Sequence, residues 1–442
     1  MPFLFVVFML SYLDRVNIGY AKLQFSSELH LSDTVFGLGA GIFFVGYFLF
    51  EVPSNLLLKR FGARLTISRI MILWGIASTA MMFVRTETQF YVLRFLLGVA
   101  EAGMVPGVIL YLTFWFPANR RARMVAIFLA AIPASGMLGA PLSGFLMHTM
   151  HEVHGLRGWQ WMFLIEGLPS IALGIVAYFY LDDSPADARW LSAGEKRAIE
   201  QRLAHEAAVD SHAGGFANLW HALLSARFWA LTFIYFCSVV GVTSLAFWLP
   251  QIIRDLGVLN FVSIGQLTAI PYVAAAVGML LVGWSSDRSG ERRWHFALSC
   301  VAGAVGLVAS GMTTLTPALA IAGLALAAAG IYSTLAIFWS MSASFLQGMA
   351  AVAGIAAINS ISNLGGYVGP AMLGMVRDAT GKTEAGLYLI AAGLAVSGLI
   401  TLTLPRPHVS PTDANVDADT EAGAPFADGM QPIPERVTTK RH

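Results

Sequence analysis

The sequence predicts an all-α polytopic membrane protein, twelve transmembrane helices in two six-helix bundles with both termini cytoplasmic, and three observations carry that prediction. Of 442 residues, 57% are apolar and only 12% charged, where an ordinary soluble domain has roughly 25% charged residues. So little charge cannot cover a water-facing surface. Apolar runs of about 20 residues, long enough to cross a hydrocarbon layer roughly 30 Å thick, recur along the whole chain. Finally, the second half of the chain echoes the first. This composition excludes soluble enzymes, nucleic-acid binders and disordered scaffolds. Lys+Arg 27 against Asp+Glu 26 leaves a formal charge of +1, so bulk charge points to no partner and only its placement matters.

The twelve spans read as 2–24, 34–58, 66–85, 88–116, 122–147, 159–181, 228–253, 264–286, 294–313, 318–345, 350–376 and 384–404. The first has no basic leader and no small-residue cleavage site before Asp14-Arg15, so it reads as a retained span and not a signal peptide. Cys237 and Cys300 fall inside apolar runs and read as packed thiols, without a disulfide framework. Basic residues gather in alternate loops, at Lys59, Arg60, Arg64 and Arg69, at Arg120, Arg121 and Arg123, and at Arg288, Arg292 and Arg293. The opposite loops hold little beyond Arg85, Arg157, Arg254 and Lys382. The richer set is therefore expected in the cytoplasm, with both termini.

A hydrophilic stretch divides the spans six and six. The expected organisation is an N-terminal bundle over 1–181, a cytoplasmic central loop over 182–227, a C-terminal bundle over 228–404 and a disordered cytoplasmic tail over 405–442. Within the central loop, Ser192-Ala193-Gly194-Glu195 has the form of a capping box and predicts an amphipathic helix over 196–208. The tail is rich in Pro, Asp, Thr and Ala and cannot bury an apolar face.

The repeat aligns elements 2, 4 and 5 with 8, 10 and 11, which makes the halves parallel repeats. Gly283-Trp284-Ser285-Ser286-Asp287-Arg288-Ser289-Gly290-Glu291-Arg292-Arg293 after span 8 is echoed by the stretch from Asn55 to Arg64, with Arg60, Gly62 and Arg64, after span 2. Phe114-Trp115 matches Phe338-Trp339, and Gly136, Gly139, Pro141 and Gly144 in span 5 match Gly365, Gly366, Gly369, Pro370 and Gly374 in span 11. Small residues at this spacing let helix backbones approach closely, which suits helices that rock against each other.

A charge at the bilayer centre is costly, so each ionisable residue within a span is a functional candidate. Spans 1 and 4 hold Asp14 with Arg15 and Arg94 with Glu101, at overlapping depths, and the latter two stand two helical turns apart. Two guanidiniums in a low-dielectric cavity offer planar forks matched to a carboxylate. A desolvated carboxyl nearby can take up a proton on one side and release it on the other. The alternative is a static buried ion-pair network that only fixes packing. Tyr12 and Tyr47 offer hydroxyls to a substrate or serve as packed aromatics. Trp339, as a stacking wall, and Asn359 with Asn363, as amide donors, are the candidates of the second half, with interhelical packing as the alternative. Glu51 and Glu166, near opposite ends of their spans, read as loop-anchoring pairs more than as coupling sites. His148, His151 and His154 share one loop without the convergent ligand set a metal needs, so no metal site is expected. No phosphate-cradling glycine loop or nucleophile elbow is present, which leaves ATP-driven pumping and enzymatic catalysis without support.

The Gly-x-x-x-Asp-Arg-x-Gly-x-Arg-Arg pattern at 283–293 resembles that of the major facilitator superfamily. Tyr12-Leu13-Asp14-Arg15-Val16-Asn17-Ile18-Gly19, Glu51-Val52-Pro53-Ser54-Asn55, the run from Tyr91 to Pro117, Gly158-Trp159-Gln160-Trp161 and Ser184-Pro185-Ala186-Asp187-Ala188-Arg189-Trp190-Leu191 look more narrowly like the anion:cation symporter family. Their wording is nearest to bacterial tartrate, phthalate and 4-hydroxyphenylacetate transporters. The resemblance implies uptake of an organic carboxylate with protons by alternating access, in a multi-pass protein of the bacterial inner membrane. It implies Asp14 and Glu101 as proton-coupling sites, Arg15 and Arg94 as substrate contacts, and the motif residues Arg60, Gly62, Arg64, Gly283, Asp287, Arg288, Gly290, Arg292 and Arg293 as the gate. An exchanger or efflux carrier using the same cavity is the alternative, and a transporter-like sensor a remote one. Where the motif is acidic in its second copy, the first copy has Lys59, so an ion pair built on that acid is expected only at Asp287. The expected partners are the bilayer and a small organic acid, with no nucleic acid, no cofactor beyond the coupling proton, and a monomeric state.

Overall fold

The computed structural model describes residues 1–210, 225–312, 316–343 and 349–404. The tail over 405–442 and part of the central loop, 211–224, lie outside the described residues. Among the described residues, eleven helices are long and apolar enough to cross a bilayer: Pro2–Glu28, Asp33–Leu58, Ala63–Phe83, Glu87–Thr113, Arg123–Thr149, Gly158–Tyr180, Ala226–Asp255, Phe261–Ser289, Arg293–Ser310, Pro317–Ser342 and Glu384–Thr403. The remaining span, the eleventh in chain order, is a pair of shorter helices, Met349–Asn363 and Gly365–Thr380, joined through Leu364 in right-handed helical geometry. We number the spans 1 to 12 in this order. The face where span 1 begins is called the near face and the face where it ends the far face.

The local chemistry explains where these helices start. Pro2 stands at the first helical position of span 1, where a missing N–H costs nothing. Ser32 caps span 2 by accepting from Val35 N at 3.1 Å, and Asn260 caps span 8 by accepting from Val262 N at 2.8 Å. Large apolar side chains such as Leu73, Phe179, Leu281 and Leu399 stay exposed on the outside of the spans, a surface only lipid can cover.

Spans 1, 4, 5 and 11 are each divided into two helices where the apolar pattern predicts continuity, and in spans 1 and 4 the division lies beside an intramembrane charge. Span 1 consists of Pro2–Val16 and Ile18–Glu28, meeting at Asn17. Span 4 consists of Glu87–Glu101 and Met104–Thr113. The break in span 4 follows from Gly103, whose φ of +84° is open to glycine and costly for other residues, and which packs against Ser54 of span 2. The central-loop helix Ala193–Asp210 forms behind the expected cap, with Ser192 Oγ accepting from Glu195 N at 3.3 Å and Ser192 N donating to the Glu195 carboxylate at 2.9 Å.

Among the described residues, the two halves meet most extensively where span 1 packs on span 7, span 2 on span 11 and span 5 on span 8. Span 1 packs on span 7, where Gly19 faces the Ala246 and Phe247 carbonyls. Span 2 runs along span 11, with Gly37 against Pro370 and Gly41 against Tyr367. Span 5 crosses span 8 at Gly265, where a Cβ would come 2.5 Å from the Ala140 carbonyl.

Candidate substrate and coupling site

Asp14 and Arg15 are consecutive in one helix, so their side chains leave it about 100° apart and reach different neighbours. Arg15 turns to the centre and forms an ion pair with Glu101 of span 4. Ser11 Oγ donates to the same carboxylate oxygen at 2.7 Å. Asp14 turns into the first half, 1% exposed, and accepts from Trp74 Nε1 at 2.7 Å, Ser78 Oγ at 2.9 Å and Ser170 Oγ at 2.8 Å. The pairing expected from the sequence, Asp14 with Arg15 and Arg94 with Glu101, is therefore corrected: one ion pair crosses from span 1 to span 4, and Asp14 is held by neutral donors of spans 3 and 6.

Arg94 is 1% exposed and has no carboxylate partner among the described residues. Its Nη2 donates to the Ala40 carbonyl at 2.9 Å and its Nε to the Gly39 carbonyl at 3.4 Å. The Phe43 ring lies between the two arginines, 5.3 Å from the Arg94 guanidinium carbon and 5.0 Å from that of Arg15. Span 4 reaches this position because Gly98 has no Cβ to strike the Phe43 carbonyl. Tyr12 and Tyr47 complete the wall around Arg15, their rings 5.3 and 5.9 Å from its guanidinium carbon. Two cations thus share one aromatic spacer, one neutralised by Glu101 and the other not.

The second-half candidates divide. Trp339 is half-buried and packs edge-on against Tyr235 at 4.8 Å. Asn359 is engaged elsewhere: its amide donates to Glu51 Oε1 at 3.1 Å, beside Ser360 Oγ on Oε2 at 3.1 Å. Glu51 is thus a bond between spans 2 and 11, not a loop anchor. Asn363, half-buried, ends the helix Met349–Asn363.

On the near face, each motif copy is held within its own half. Gly62, at φ +83°, packs against the Asp183 carboxylate, which accepts from Arg64 N at 2.8 Å, while the Arg64 guanidinium stacks on Tyr178 at 4.4 Å. Arg60 is exposed beside Phe61. In the second copy Arg292 donates to the Ser340 carbonyl at 2.5 Å and Arg293 to the Thr401 carbonyl at 3.4 Å. Gly290 ends span 8 in left-handed geometry and Arg288 lies over Trp284. Gly283 has open space where a Cβ would be. Asp287 is exposed and makes no ion pair among the described residues.

The far face carries a charge network that the sequence reading missed. Lys22, 5% exposed inside span 1, donates to Asp33 at 2.5 Å and lies 4.7 Å from the Trp248 ring centroid. Asp33 pairs in turn with Arg377 at 2.9 Å, and Arg377 with Asp255. Asp378 accepts from the Asp33 and Thr34 amides at 3.1 and 2.8 Å. Spans 1 and 2 of the first half are thereby tied to spans 7 and 11 of the second. The one signal for it was Lys22, an ionisable residue within an apolar run. Replacing Arg377 by Gln removes the central cation of this lattice, and spin labels at Ser27 and Thr380 are expected to report a longer-distance population by electron resonance. An unchanged distance distribution would show that the network does not hold the far face closed.

A family model described as Major Facilitator Superfamily matches residues 4–370. The chain belongs to the major facilitator superfamily. This makes it a multi-pass membrane transporter, in agreement with the helical architecture, and its bacterial relatives agree with an inner-membrane location. It is 50% identical over 406 residues to the "Putative tartrate transporter" of Agrobacterium vitis, covering 92% of each chain. It is 38% identical over 400 residues to the "Quinolone resistance transporter" of Acinetobacter baumannii, covering 90% of this chain and 92% of that one. Among solved structures, a bacterial homologue of the human lysosomal transporter Spinster, inward-facing and occupied, superposes with a TM-score of 0.74 at 16% identity over 93% of this chain and 98% of the other. That likeness is one of fold.

Proposed function

We propose that this superfamily transporter moves a small organic carboxylate into the cell together with protons, by alternating access around the Arg15, Arg94 and Glu101 site. The observation that carries this reading is Arg94, a buried guanidinium with no carboxylate of its own among the described residues, placed across Phe43 from a second arginine that has one. An unpaired buried cation is costly, and a substrate anion supplies the missing charge. The Agrobacterium relative's name supports a carboxylate such as tartrate.

The coupling follows from an exchange of partners. Protonation of Glu101 removes its charge and frees Arg15, so both forks can grip the substrate carboxylate. After release on the opposite side, Glu101 loses its proton and pairs with Arg15 again, the arrangement present here. Asp14 carries a proton within the first half. Tyr12, Tyr47 and Trp339 bound the cavity, and the near-face motif, cytoplasmic in this reading, steadies the opening and closing of that face. A second reading, an anion exchanger or efflux carrier using the same cavity, draws on the relative named for quinolone resistance.

Purified protein in proteoliposomes separates the two. Labelled tartrate is expected to accumulate above its external concentration when the outside is made acidic, and to stop doing so with a protonophore. Movement only against unlabelled tartrate inside, with no response to the pH gradient, would favour exchange and contradict symport.

A further inference from the structure

Glu166 of span 6 is 3% exposed and lies eight residues into the helix Gly158–Tyr180, about 12 Å below its far-face end at 1.5 Å per residue. The loop-anchoring role expected from the sequence does not fit: its hydrogen bond comes from Ser143 Oγ of span 5 at 2.7 Å. Its second oxygen, Oε2, is buried and completes no hydrogen bond. The groups facing it from span 1 are Asp14, Asn17 and Tyr20, and both amide atoms of Asn17 and the Tyr20 hydroxyl are likewise buried without a completed hydrogen bond. No Lys, Arg or His forms an ion pair with Glu166 or Asp14 among the described residues. Glu101, by contrast, has Arg15.

A carboxylate buried without a counter-ion is strongly disfavoured, and the protonated form relieves that cost. One helical turn further along span 6 is Ser170, which donates to Asp14. We propose that Glu166 is a further proton-carrying carboxyl, set toward the far face from Asp14 and apart from the Arg15 and Arg94 site. The buried Oε2, facing the Asn17 amide, is the oxygen that takes a proton from the far face. Protonation makes the carboxyl neutral, and release of the same proton leaves the carboxylate with Ser143 still donating to Oε1. This inference rests on the proton-coupled reading above.

The test uses the full-length protein in proteoliposomes and Glu166→Gln, which mimics the neutral carboxyl permanently. The proton-to-tartrate ratio is read from the pH gradient that just stops tartrate flux against a fixed tartrate gradient. The ratio is expected to fall by one proton in the variant while tartrate-for-tartrate counterflow persists. An unchanged ratio with unchanged pH dependence would overturn the proposal. Infrared difference spectroscopy of wild type across neutral pH supplies a readout independent of transport: a titrating carboxylic C=O band should vanish in Glu166→Gln. Where that variant does not fold, Glu166→Asp is expected to move the band, and an identical band would overturn the assignment. Should wild type move no protons at all, the symport reading fails, and the infrared band alone decides whether Glu166 holds one.

Discussion

Arg94→Ala is expected to abolish binding of the substrate carboxylate, seen as loss of substrate-induced thermal stabilisation in detergent, while the variant folds. The expected effect is large because Arg94 is the buried cation left without a carboxylate, so the substrate has nowhere else to place its first charge. Truncating one member of a desolvated, hydrogen-bonded charge pair costs about 2–5 kcal/mol, or one and a half to three and a half decades of affinity. Arg94→Lys keeps the charge but not the planar fork, and is expected to recover part of the affinity without restoring it. The variant also gives up hydrogen bonds to the Gly39 and Ala40 carbonyls of span 2. A separate measurement of its melting temperature without substrate distinguishes lost packing from lost recognition. Binding retained at wild-type affinity would remove Arg94 from the site.

Glu101→Gln is expected to keep exchange of substrate for substrate and to stop accumulation driven by a pH gradient. Glutamine retains an oxygen for Ser11 and carries no charge, so it holds Arg15 no more tightly than a protonated glutamate would. Both arginines are then permanently free for substrate, and the step that needs Glu101 to ionise is lost. A transporter in which this ion pair were only structural would respond differently: exchange and driven uptake would fall together, in proportion to the amount of folded protein. Intact uphill uptake in Glu101→Gln would take Glu101 out of the proton path.

The spans themselves were legible because crossing a bilayer demands an apolar length that few other structures need. The chemistry within them was legible residue by residue but not pair by pair. Asp14 and Arg15 look like a pair because they adjoin in sequence, yet adjacency in a helix turns two side chains apart, and only tertiary packing brings Trp74, Ser78 and Ser170 to one and Glu101 to the other. The breaks at Asn17 and Gly103 were hidden for a similar reason. Hydropathy continues through both, and among 43 glycines the one that takes a positive φ beside Ser54 is selected by its neighbour on span 2.

The far-face network shows the same limit from another direction. Asp33, Asp255 and Arg377 stand at helix ends, where charges are ordinary, and lie hundreds of positions apart in the chain. Their meaning comes from the meeting of spans 1, 2, 7 and 11, which no local pattern encodes. Asn359 illustrates the reverse case, a polar residue in a glycine-rich helix that suggested a substrate donor and instead holds Glu51 of the other half.

The central claim is that carboxylate and proton move together. The direct measurement is acidification of proteoliposomes holding a trapped pH dye, with the voltage clamped by potassium and valinomycin, on adding tartrate, phthalate, 4-hydroxyphenylacetate or galactonate one at a time. The account predicts acidification with one of these acids, lost in Glu101→Gln. Uptake of a labelled acid without any acidification, in protein shown to be folded, would contradict it.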